Sequence, residues 1–199
     1  MVYLSKIYTR TGDDGGTMLA DGSRAPKHAL RVGAYGDVDE LNAVVGLVRM
    51  ELARAPGALP APFREAADEQ LGRIQQELFD LGAELSTPED THGKKTRAGV
   101  TDASIDRLEA WIDAWNEELE PLRSFVLPGG GPVGATAHLA RTVCRRAERT
   151  VCRLCAEQTV RPHPLRYLNR LSDYLFVFAR AAAAAGGHPE PLWTPTERS

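Results

Sequence analysis

Apolar positions recur at steps of three and four residues through most of the chain, the period of helices that bury one face. Val38, Leu41, Val45, Val48 and Leu52 predict a first helix starting at Asp37, where Asp37 and Glu40 offer a cap-like beginning, and stopping before Pro56. Ala67, Leu71, Ile74, Leu78, Leu81 and Leu85 alternate spacings of four and three, as packing through a single seam requires, and this second helix stops near Pro88. A third follows a cap at Thr101, with Ile105, Leu108, Ile112, Trp115 and Leu119 on one side. Ala140, Val143, Ala147, Val151 and Leu154 mark the fourth. The fifth begins at Pro164, presents Leu168, Leu171, Leu175, Phe178 and Ala182 to a core, and ends at Gly186-Gly187.

The segments between these stripes have no helical period. Residues 1–36 are rich in glycine and threonine and read as loop with short extended pieces, residues 86–100 as a polar surface loop, and FVLPGGGPVGA (125–135) as the strongest breaker in the chain. The tail HPEPLWTPTERS is expected to be irregular. The fold class that results is all-α, a five-helix bundle with a short irregular N-terminal loop. With 199 residues and 43% hydrophobic content, the chain fits one domain: loop at 1–36, bundle at 37–187, tail at 188–199.

Charge narrows the partners. A net charge of −3 gives no overall attraction for nucleic acid or an anionic membrane, so any anion site must be local. The first twenty residues hold no apolar run of the kind that secretion or membrane insertion needs, and a cytoplasmic location is expected. The three cysteines, Cys144, Cys152 and Cys155, are an odd number within one segment, which argues against a disulfide framework and suits a reducing compartment. Cys152 and Cys155 form a C-x-x-C without a second pair, and the bland expectation is that they are buried small apolar residues.

Chemistry concentrates on the fourth helix. Arg141, Arg145 and Arg149 are four apart and so lie along one face, with Arg146, Glu148 and Arg153 nearby. Two readings are open: a solvated charged face, or an anion site in which guanidinium forks meet phosphate oxygens. The segment Thr9-Arg10-Thr11-Gly12-Asp13-Asp14-Gly15-Gly16-Thr17 is equally two-sided, as a phosphate grip without Walker A order or as a tight turn between two strands. On the fifth helix, Asn169 and Asp173 stand one turn apart, with Phe176 and Arg180 continuing down that side, and can read a ribose or a base or simply form a polar face. Asp39 can favour the first helix's dipole, and Phe125 can staple a loop.

Taken in order, YTRTGDDGGT (8–17), Lys27 and Arg31 ahead of AYGDVDELNA (34–43), FVLPGG (125–130), HLARTVCRRAER (138–149) and YLNRLSDYLF (167–176) closely resemble the PduO-type ATP:cob(I)alamin adenosyltransferases. The resemblance implies a five-helix bundle that assembles as a homotrimer with active sites between subunits. It implies transfer of the 5′-deoxyadenosyl group of ATP to the cobalt of cob(I)alamin, giving adenosylcobalamin and inorganic triphosphate, with Mg²⁺ as cofactor and its ligands left open. By position, Thr9, Arg10, Thr11, Gly12, Thr17 and Lys27 would hold ATP from the N-terminal loop, and Arg145, Arg146, Glu148, Arg149 and Asn169 would complete that site. Phe125 would stand under the corrin, Phe176 would wall that side, and Asp173 is grouped with them. Asp39 and Arg141 would pair across the interface. Arg145, Asp39, Arg141, Phe125 and Asn169 are then the catalytic candidates.

Displacing triphosphate needs its developing charge neutralised, which Arg145, Lys27 and Mg²⁺ can do, and a cobalt nucleophile needs no general base. Partners implied are a corrinoid reductase and an adenosylcobalamin-dependent enzyme, with neither nucleic acid nor membrane. Two rival classes compete: a non-catalytic corrinoid or nucleotide carrier, and a ferritin-like di-metal oxidase, for which only the Glu89–His92 pair has the spacing.

Overall fold

The structure, a computed structural model, describes residues 8–55, 57–88 and 99–195. A two-stranded antiparallel hairpin, β1 (Gly16–Met18) and β2 (Arg24–Pro26), precedes five helices: α1 (Leu30–Ala53), α2 (Ala61–Leu85), α3 (Asp102–Glu117), α4 (Gly131–Glu157) and α5 (His163–Ala185). In the bundle, α4 lies between α1 and α5, α2 packs on α1, and α3 packs on α5. The predicted stripes of α1, α2, α4 and α5 are all buried. Each fully buried leucine, such as Leu41, Leu71 or Leu168, contributes about 1.5–3 kcal/mol through burial. On α3, only Ile105 and Leu108 of the expected face are buried, while Ile112 and Trp115 pack at its margin and Leu119 lies past its end.

The largest departure from the sequence reading is the start of α1, at Leu30 rather than Asp37. Gly33 and Gly36 lower helix propensity there. A long-range anchor overrides it: Arg31 is buried and donates to the Leu85 carbonyl at 2.7 Å and to Gln158 Oε1 at 2.9 Å, tying the first turn to the end of α2 and the end of α4. Polar groups inside the bundle are similarly partnered. Tyr167 Oη donates to Glu77 at 2.9 Å, and Glu77 also accepts from Arg107 and Arg73. Gln70 Oε1 accepts from both Trp115 Nε1 and Tyr174 Oη, at 2.8 and 2.9 Å.

Up to Pro195 the tail forms no helix or strand, as its sequence suggests, but it is not free of the bundle. Val126 and Leu192 form an antiparallel bridge that folds the residues after α5 back onto the loop before α4. Of the cysteines, Cys144 is buried, with its thiol donating to the Leu168 carbonyl, but Cys155 is half-buried and Cys152 exposed, because α4 turns that face to solvent. All three thiols are free. Among the described residues, no helix is long and apolar enough to cross a membrane.

Candidate functional site

The segment Thr9–Thr17 is not the turn between the two strands: it leads into β1, and the turn that joins β1 to β2 is Leu19–Ser23. Gly22, at φ 89°, lets the chain reverse between Leu19 and Ser23. Ahead of β1, Arg10 adopts a left-handed φ of 62°, and Thr9 and Thr11 bring their hydroxyls to 2.8 Å of each other. Lys27, on the far side of the hairpin, donates to the Gly12 carbonyl at 2.8 Å, so its ammonium is held against the Thr9–Gly12 loop. Asp14 is braced by the Gly16 N–H and by Arg24, and these hold its carboxyl below the usual carboxylate range, with the backbone bond first. The hairpin is fastened to the bundle by the Ala20 N–H donating to the Ser86 carbonyl at 3.0 Å.

The arginine face of α4 divides into paired and unpaired members. Arg146 points to α1, where it pairs with Glu40 and approaches Asp37 at 4.0 Å, and Thr150 donates to Asp37 at 2.6 Å. Glu148 accepts from Asn169 Nδ2 at 2.9 Å, joining α4 to α5. Arg145 and Arg149 are exposed and form no ion pair among the described residues, and Arg149 donates to the Arg145 carbonyl at 3.0 Å. Arg141 is half-buried, with a buried Nε that has no partner among the described residues. Burial, and then the neighbouring Arg145 charge, lower its proton affinity. From Arg141 to Arg149 the row rises about 12 Å, at roughly 1.5 Å per residue. A row of cations of that length with so few counter-charges suits an extended polyanion.

At the foot of that row is a surface cleft of about 610 Å³ lined by Leu122, Phe125, Val126, Arg141 and Phe176. Phe125 projects into it with 77% of its surface exposed, on the loop that leads into α4. Phe176 comes from α5 and is backed by His138, whose ring centroid is 6.0 Å away. His138 is buried, and burial followed by the Arg141 charge depresses its basicity, so the wall behind Phe176 is neutral at pH 7. An exposed aromatic and a half-buried aromatic in one cleft, with Arg123 and Arg141 also lining it, form an apolar floor for a flat ligand that carries polar edges.

The structure therefore joins the predicted residues in two groups on one chain, Thr9, Thr11, Gly12 and Lys27 at the hairpin, and Phe125, Phe176 and Arg141 at the cleft, with Arg145 and Arg149 above it. Thr17 lies in β1 and Arg10 stacks over the Tyr8 ring, 5.7 Å from its centroid. Asp39 is exposed in a different cleft, of about 490 Å³, with Met18, Tyr35 and Phe79. It does not pair with Arg141 within the chain. Asp173 is engaged by Arg170 at 2.8 Å, and Arg170 also pairs with Glu109. Arg180, further down the same side of α5, is buried and paired with Glu190 at 2.9 Å. Sequence reasoning missed His138, the Asp37 and Glu40 contacts, and the exposed Phe79 and Met18, which are 69% and 72% exposed. An aromatic off the buried seam of α2 was the available signal for Phe79. Glu89 and His92 lie outside the described residues.

The sequence profile of the family described as cobalamin adenosyltransferase matches residues 7–182. The corrinoid adenosyltransferase of Mycobacterium tuberculosis (strain ATCC 25618 / H37Rv) is 46% identical over 196 residues, covering 98% of this chain and 95% of that protein. The cobalamin adenosyltransferase of Cupriavidus metallidurans is 47% identical over 190 residues, covering 96% and 95%. Among solved structures, a variant of the PduO-type ATP:corrinoid adenosyltransferase from Lactobacillus reuteri, complexed with cobalamin and ATP, superposes with a TM-score of 0.85 at 35% identity, covering 94% of this chain and 96% of that one. By profile, by identity over nearly its whole length and by fold, this chain belongs to the cobalamin adenosyltransferase family.

Proposed function

We propose that this chain binds the triphosphate of ATP between the Thr9–Gly12 loop with Thr17 and Lys27 on one side and the Arg145 and Arg149 face of α4 on the other, and seats a corrinoid on Phe125 and Phe176. The chain is an ATP:corrinoid adenosyltransferase, which moves the 5′-deoxyadenosyl group of ATP to the cobalt of cob(I)alamin and yields adenosylcobalamin and inorganic triphosphate. The bond from C5′ to the triphosphate oxygen breaks as the bond from cobalt to carbon forms. What the protein must supply is charge neutralisation at the leaving oxygen and control of the cobalt's lower face.

The observation that carries the residue assignment is the placement of Phe125, Phe176 and Arg141 around one cleft, on the same α4 face as Arg145 and Arg149, which form no ion pair among the described residues. An apolar ring under the metal excludes water from that axial position, which makes Co(II) easier to reduce. Arg146, already neutralised by Glu40, fits a positioning role better than a phosphate contact. Asn169 and Glu148, joined to each other, suit the ribose or base end of ATP.

The two groups of residues sit on different parts of the chain, which supports a site completed by a neighbouring subunit, with Asp39 meeting Arg141 there. The exposed Phe79 and Met18 beside Asp39 favour such a contact. A homotrimer would scatter light as three times the 21.7 kDa chain. Among the described residues, no three His, Cys, Asp or Glu side chains converge on a metal site, which fits a Mg²⁺ ion carried mostly by phosphate oxygens and water. A cytoplasmic setting belongs to the same reading, since all three thiols are free.

The test is the spectrum of cob(II)alamin with ATP. Wild type should show a four-coordinate species, and Phe125→Ala should shift it toward five-coordinate while ATP affinity stays the same. A Phe125→Ala variant with altered ATP affinity and unaltered cobalt coordination would remove Phe125 from the corrin face.

A further inference from the structure

Phe125 is 77% exposed, so the core does not fix its ring, yet the reading above needs that ring at one height beneath the corrin. The residues that hold it come from the C-terminal segment. Leu127 N–H donates to the Pro191 carbonyl at 2.8 Å, Trp193 N–H donates to the Phe125 carbonyl at 2.8 Å, and Ser124 Oγ donates to the Trp193 carbonyl at 2.9 Å. The Trp193 ring meets the Phe125 ring edge to face, with centroids 6.1 Å apart and planes at 69°. The segment is secured at its start by Glu190, which accepts from the buried Arg180 through Nε at 2.9 Å and Nη2 at 3.3 Å, while Arg180 also donates to the Glu120 carbonyl at 2.8 Å. The glycine run before α4 leaves room for this strap, because a Cβ on Gly129 would lie 3.2 Å from Pro191 and one on Gly131 would strike the His188 ring.

We propose that residues 188–193 form a strap that sets the position of Phe125, with Trp193 as the positioning residue and the Arg180–Glu190 pair as the latch. This rests on the reading that Phe125 faces the corrin. The strap constrains the loop on three sides: main-chain pairing fixes the height of residues 125–127, the Trp193 edge fixes the ring's tilt, and the buried guanidinium holds the strap's near end. Trp193 touches neither reactant in this account and acts only through Phe125.

Full-length Trp193→Ala, Trp193→Phe, Glu190→Gln and Phe125→Ala test the proposal together, with two readouts. Hydrogen exchange should show the Leu127 and Trp193 amides losing protection in Trp193→Ala and Glu190→Gln, with protection of the helix amides unchanged. In the cob(II)alamin and ATP spectrum, the ratio of four- to five-coordinate species should fall about 2- to 10-fold in Trp193→Ala, the range expected for losing one edge-to-face aromatic pair. Trp193→Phe should restore most of the ratio, and ATP affinity should match wild type throughout. Retained amide protection in both strap variants would overturn the strap, and lost protection with a wild-type ratio would overturn its hold on Phe125. If Phe125→Ala itself keeps the wild-type ratio, the Phe125 reading fails and takes the cobalt part of the inference with it, while hydrogen exchange still decides whether the strap orders the loop.

Discussion

Replacing Arg145 with lysine isolates one forked donor from everything else on α4. Arg145 is exposed and forms no ion pair among the described residues, and arginine and lysine have similar helix propensities. The substitution should therefore change stability by less than about 0.5 kcal/mol, as is usual at such a surface position. Its cost should fall on the transition state. An ammonium group can replace one contact of a guanidinium with a phosphate oxygen but cannot span two. Losing one charge-assisted hydrogen bond removes about 1.5–3 kcal/mol, which at about 1.36 kcal/mol per decade lowers kcat/KM roughly 10- to 150-fold. The assay is steady-state turnover of ATP with chemically reduced cob(I)alamin under anaerobic conditions, beside a thermal melt of the same preparation. Wild-type kcat/KM in Arg145→Lys would refute the reasoning, and a lowered kcat/KM with an equally lowered Tm would assign the residue to folding rather than to phosphate.

Gly130, at φ 81°, has its missing Cβ only 2.7 Å from the Ala183 Cβ, so Gly130→Ala combines a left-handed backbone cost of about 1–2 kcal/mol with an overpacking cost of about 1–3 kcal/mol. Denaturant unfolding should show a loss of about 2–5 kcal/mol in Gly130→Ala, and an unchanged midpoint would mean the junction of α4 with α5 yields easily. Asp102, at the start of α3, has its carboxyl held below the ordinary range, first by Arg166 and then by His163. Its folded-state pKa is depressed, so its stabilising effect should be full above the unfolded carboxylate pKa of about 3.9 and disappear as pH falls through the lower folded value. Melts of wild type and Asp102→Asn against pH should converge at the acid end, and a gap that persists there would contradict this.

The helices were legible because each buried stripe follows one period, and Val38 to Leu52, Leu71 to Leu85 and Leu168 to Ala182 are in the core as their spacing requires. The start of α1 was not legible, since Arg31 is fixed by groups 54 and 127 residues away that local pattern does not register. The site was legible in part. Arginines four apart announce a common face, but spacing cannot tell that Arg146 turns to Glu40 while Arg145 forms no ion pair among the described residues. Nor does anything near Trp193 in the sequence point to Phe125, because their pairing depends on the chain folding back after α5. Resemblance to a family supplied the chemistry, and geometry supplied which side chains meet within one chain.

The most direct measurement of the central claim is a single anaerobic reaction of the purified protein with ATP and cob(I)alamin, following the corrinoid spectrum and the phosphate products together. Adenosylcobalamin and inorganic triphosphate should appear in equal amounts, and neither should form without the protein. Binding of both reactants with no adenosylcobalamin, or ATP consumed to ADP and phosphate while the corrinoid spectrum stays fixed, would contradict the assignment.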